Sequence, residues 1–198
     1  GAEQSGFIAD IGFETYQKIM QEAVAELRAE GLELPGLDAA ERQAVEQLRF
    51  IDDAHIEIEV EASLPDGYVA QQAERLKLYR ELDSTKDEAA LEAFESRLAD
   101  RFGPLPRAAK ELLNVVRLRW EAIRLGMERV KVKNGLMIVH FVGEENSPYY
   151  KSDTFMQLLQ RVTQRPDRFV LKQHNNRLAM TVRNVKDIED GYKTLQQL

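Results

Sequence analysis

The stretch from Asp87 to Gly126 constrains the fold more than any other part of the chain. Leu91, Phe94, Leu98 and Phe102 recur at three- and four-residue steps and make one apolar stripe on a helix. Gly103 closes that helix and Pro104 cannot continue it. Pro106 suits the start of a second helix, whose stripe is Ala109, Leu112, Leu113, Val116, Trp120 and Ile123, with Gly126 as its end. Two facing stripes joined by a short rigid corner predict a helical hairpin with Trp120 buried in it.

Before the hairpin, Phe13, Tyr16, Met20, Val24 and Leu27 predict an amphipathic helix over 13–30. Asp38 to Glu41 has capping-box spacing ahead of a weaker helix. His55 to Ala62 alternates Ile56, Ile58, Val60 with Glu57, Glu59, Glu61, which predicts a strand with one buried and one acidic face. Leu64 to Gly67 reads as a turn and Val69 to Leu82 as a helix.

After Gly126 the pattern changes. Asn134-Gly135 lies between an alternating run and an apolar run, a strong hairpin signal. A helix follows from Asp153, its expected cap. A second hairpin turns at 174–177, and a last helix starts after Asn184. The order β-β-α-β-β-α predicts an antiparallel four-stranded sheet with helices on one face. The fold class is therefore α+β. We divide the chain into residues 1–12 as a linker, 13–126 as a helical lobe, and 127–198 as an α+β lobe sharing a core with it.

Residues 1–100 carry a net charge of −15 and residues 101–198 one of +8. Such asymmetry fits a charged partner or attraction between two lobes. No apolar run approaches the ~18 residues of a membrane span. Cysteine is absent, which removes disulfides and thiolate metal sites and fits a cytoplasmic protein. The three histidines, His55, His140 and His174, lack metal-ligand spacing. Asp52-Asp53-Ala54-His55 looks like a helicase acidic box, but no phosphate-cradling GxxxxGK[ST] string accompanies it. We expect no cofactor, no metal and no catalytic residue. The cations Arg117, Arg119, Arg124, Arg129, Lys131 and Lys133 cluster closely enough for an auxiliary DNA-binding role, the alternative function.

The block Leu98 to Pro106, LADRFGPLP, resembles the C-terminal domain of bacterial transcription-repair coupling factor. Pro65-Asp66-Gly67-Tyr68-Val69, with Arg75-Leu76 and Tyr79-Arg80, is similar to the same family. Gly1 to Gly6, with Gln4, resembles the tail of the translocation motif shared with RecG-type helicases. A chain opening inside such a motif reads as a piece of a longer protein. The resemblance implies a non-catalytic domain of an ATP-driven DNA translocase that removes stalled RNA polymerase and recruits the repair ATPase UvrA. It implies packing on the UvrA-binding module of the same protein, masking that module until the enzyme engages its substrate. The masking contacts implied are those of the acidic-x-x-Asp-Arg-Phe-Gly block. Asp100 and Arg101 match it, and Arg97 stands where relatives carry Glu. The domain is expected to be monomeric.

Geometry adds to this for Asp100. At about 100° per residue it points away from the Leu91–Phe102 stripe, with Arg97 beside it and Ala93 and Ser96 on the same side. A carboxylate in the last turn of a helix is disfavoured by about 0.3–1 kcal/mol. A charge kept against local propensity points to docking rather than folding. The competing reading is a local Arg97–Asp100 pair on one helix.

Overall fold

The computed structural model describes residues 50–198. The expected helices at 13–30 and 39–48, and Gln4, lie outside them. The elements are β1 (His55–Ile58), α1 (Gln72–Asp83), α2 (Glu88–Phe102), α3 (Arg107–Arg124), β2 (Met127–Lys133), β3 (Leu136–Phe141), α4 (Asp153–Thr163), β4 (Phe169–His174), β5 (Arg177–Val182) and α5 (Ile188–Gln196). The α+β class and the helical hairpin stand as read from sequence.

The sheet is larger than expected. Its order is β1-β2-β3-β5-β4, with the four later strands antiparallel and β1 added parallel to β2. His55 to Ile58 register against Arg129 to Val132. The acidic strand assigned to the helical lobe thus edges the sheet of the other lobe. It is also shorter than its alternation suggested, and Val60 is exposed rather than buried.

Local chemistry explains the turns. Asn134 and Gly135 take φ of 53° and 74°, as a two-residue hairpin turn requires. Asn175 and Asn176 take 51° and 61° at the second hairpin. Caps differ by a few residues from the sequence reading. Ser152, not Asp153, accepts from the Phe155 N–H, and Asp187, not Asn184, accepts from the Asp190 N–H. In each case the nearer side chain already satisfies the helix terminus.

Apolar side chains gather into two clusters. One joins Leu64, Val69, Leu78 and Leu82 to Leu91, Phe94, Leu98, Ala109 and Leu113. The other packs the helix-facing side of the sheet against α4, α5 and the end of α3. Helix α3 serves both: Ala109 and Leu113 face the first, and Leu118, Ala122 and Ile123 face the second. Ile123, assigned to the hairpin stripe, therefore belongs to the sheet. Trp120 is half-buried rather than buried, packed on the edge of the helical cluster. A helix with two apolar faces cannot be stripped from one cluster while left in the other. The chain is expected to unfold in one calorimetric transition, and two well-separated transitions would count against this coupling.

Candidate functional site

Helix α2 begins at Asp87, whose carboxylate accepts from the Ala90 N–H at 2.7 Å. It ends at Gly103, with φ of 89°. The Tyr68 hydroxyl donates to the carbonyls of Gly103 (2.7 Å) and Leu98 (3.2 Å), tying the loop to the C-terminal end of the helix. Its ring meets Phe102 edge-on at 5.7 Å. Burial raises the Tyr68 pKa, which keeps the donor protonated.

The second string singled out in the sequence braces this arrangement. Pro65 O accepts from the N–H groups of Tyr68 and Val69, both at 2.9 Å. Arg75 donates to Val69 O at 2.8 Å and pairs with Asp66 at 3.1 Å. The Leu64 N–H donates to the Tyr79 hydroxyl at 2.8 Å. These residues hold the loop onto α1, so the end of α2 is presented on a fixed support.

The three charged residues of the expected docking face then separate. Arg97 donates to Glu81 on α1. Arg101 donates to Glu74 on α1 at 2.7 Å, and its guanidinium lies 4.8 Å from the Phe102 ring centroid. The alternative Arg97–Asp100 pair is not formed, because Arg97 reaches across to α1 instead. Asp100 is exposed and has no ion pair or hydrogen-bonded side-chain partner among the described residues. Exposed pairs like the two arginine contacts are worth only about 0–1 kcal/mol. They fix the directions of Arg97 and Arg101 more than they stabilise the fold. Glu92, like Asp100, is exposed on this helix.

The acidic box look-alike has another job. Arg119 donates to Asp53 at 2.7 Å and to Asp83 at 2.9 Å, tying the entry to β1 to the end of α1. Burial pulls the Asp53 carboxyl up, but the Arg119 hydrogen bond and charge and the Ala54 N–H outweigh it and hold the pKa below its usual value. No group of three or more His, Cys, Asp or Glu among the described residues is arranged to hold a metal ion. We expect no ATP turnover by the isolated chain. Mg²⁺-dependent phosphate release that disappears in Asp52→Ala would contradict this.

The suspected basic cluster is also divided. Arg117 holds Glu88 at 2.7 Å, Arg124 holds Glu121 at 2.7 Å, and Arg129 holds Glu57 at 2.9 Å. Only Lys131 and Lys133 of that group project freely from a strand. Sequence reasoning missed Tyr149, placed in a loop but buried in a short 3-10 turn at Pro148–Lys151. Burial pushes its hydroxyl pKa well above the usual tyrosine range. Among the described residues no helix is long and apolar enough to cross a membrane.

Residues 58–152 match the TRCF domain family. The chain is 36% identical over 131 residues to the transcription-repair-coupling factor of Escherichia coli, covering 66% of this chain. It is 34% identical over 161 residues to that of Haemophilus influenzae, covering 81% of this chain. It spans only 10% and 13% of those relatives' lengths. A crystal structure of the C-terminal domain of transcription-repair coupling factor shares its fold, with a TM-score of 0.56 at 16% identity. That match covers 74% of this chain and 95% of the other.

Proposed function

The chain belongs to the family of the transcription-repair coupling factor C-terminal domain, and from that premise we propose that it is a non-catalytic regulatory domain which docks through the outer face of α2. The partner is the UvrA-binding module of the same full-length protein, an ATP-dependent DNA translocase of transcription-coupled repair. Docking masks that module until the enzyme engages its substrate, so UvrA is bound only after release. Asp100 is the central contact, with Arg97 and Arg101 as its flanks. The domain acts as a cytoplasmic monomer, and Gln4 belongs to the end of the translocation motif. Residues 13–126 and 127–198 act as one unit.

The observation that carries this reading is the distribution of charge at the end of α2. Both arginines have internal partners, while the carboxylate between them has none among the described residues. An exposed carboxylate on a rigid helix end, framed by Ala93 and Ser96, suits a basic patch on another protein. Arg97 fits the scheme although the family resemblance implies a glutamate there. Its charge is already matched by Glu81, so the partner meets Asp100 as the uncompensated group.

Calorimetric titration of the chain into the isolated UvrA-binding module tests the proposal. Saturable one-to-one binding that weakens with added salt is expected. Absence of binding at low salt would overturn it.

A further inference from the structure

We propose that the helix-free face of the sheet is a second binding surface, one that grips the phosphate backbone of nucleic acid. Side chains opposite one another across a sheet share a face, and alternate residues along a strand point to opposite faces. The pairing therefore places Arg129, His140, Ala179 and Lys172 in one row across four strands. Lys131, Ile138, Thr181 and Val170 make the next row, and Lys133 and Leu136 the third. The helix-side core takes the alternate residues, Val130, Val132, Met137, Val139, Met180 and Val182. Ile138, Leu136 and Val170 lie outside that core, and no described helix is packed over them.

The face is cationic although the chain as a whole is acidic. Lys131, Lys133, Lys172 and Arg177 are exposed and form no ion pair among the described residues. The opposing acids sit at one side. Glu57 is held by Arg129, and Glu59 accepts from the Asn134 N–H at 3.0 Å. A trough of about 410 Å³ between Arg129, His140 and Arg177 opens at one end of the rows. It is also lined by Glu128, whose Oε1 accepts from the Gly143 N–H at 3.1 Å.

The kind of ligand follows from what the face carries. Spaced cations on a rigid sheet neutralise successive phosphates. Among the described residues no Phe, Tyr or Trp ring stands exposed on the face to stack a base, so contact is with the backbone and tolerant of sequence. This surface lies on the sheet, whereas the docking face lies on α2, so the two readings stand or fall separately.

The test is fluorescence anisotropy of a labelled DNA duplex and a labelled single strand with the whole chain. Three phosphate contacts predict binding about 40-fold weaker at ~200 mM than at ~50 mM salt. The triple variant Lys133→Glu, Lys172→Glu, Arg177→Glu alters exposed side chains only. It is expected to keep the parent's melting temperature and lose at least about tenfold in affinity at low salt. Asp100→Ala should bind DNA as the parent does. No binding by the parent at low salt, or full binding by the folded triple variant, overturns the proposal. Tighter binding of a labelled polyglutamate peptide than of DNA would also overturn it, by assigning the face to acidic proteins.

Discussion

Replacing Gly126 by Ala is expected to destabilise the chain by about 2–5 kcal/mol, the largest loss from so small a change. Gly126 has φ of 73°, where a residue with a Cβ is strained by about 1–2 kcal/mol. The added methyl would also lie 2.3 Å from the Tyr149 ring. That ring is fully buried against Phe50, Phe141, Tyr150 and Phe155, and its hydroxyl donates to Leu125 O. It has no free direction in which to yield, and overpacking of this kind costs about 1–3 kcal/mol. At about 2–4 °C per kcal/mol for a chain of this size, melting should fall by about 4–20 °C. Gly67 is the control, because an added Cβ there meets nothing within 4 Å. Gly67→Ala should change stability by no more than about 1 kcal/mol. If the two variants melt alike in denaturant and heat, the close approach of Gly126 to Tyr149 is not a constraint on the fold.

The position of Gly126 also shows what was legible in the sequence. Its role as a helix end followed from composition and spacing, since α3 closes just before it and β2 starts just after. The two hairpin turns, the corner at Gly103 and the stripe of α2 were readable for the same reason. Each is settled by residues within a few positions of one another. The tight contact with Tyr149 was not readable, because it joins residues 126 and 149 through tertiary packing.

The same distinction explains the other differences. Pairing β1 with β2 joins segments some 70 residues apart, and alternation within a strand says nothing about its neighbour. The apolar residues of α3 were read as one stripe because its second face, Leu118 and Ala122, has no partner in the hairpin. Only the sheet supplies that partner. At the docking face, the outward direction of Asp100 followed from helical geometry. The diversion of Arg97 and Arg101 to Glu81 and Glu74 did not, since it depends on which side of α2 receives α1.

Those two ion pairs lead to the second large effect, on binding rather than stability. Asp100→Arg should leave melting within about 0.5 kcal/mol of the parent, as expected for a surface position without internal partners. It even favours the helix slightly, since a cation suits the last turn. For docking the sign reverses. A basic patch that met a carboxylate would meet a third arginine beside Arg97 and Arg101. Disrupting a desolvated charge pair at an interface costs about 2 kcal/mol or more, a loss of about 30-fold in affinity. Arg97→Ala should have a smaller effect, because Glu81 already occupies that charge.

The most direct measurement is a parallel titration of the parent chain and Asp100→Arg against the UvrA-binding module, with melting recorded for both. Docking through α2 predicts equal melting temperatures and binding weakened about 30-fold or more in the variant. Equal affinities, or a variant that melts many degrees lower, would contradict it.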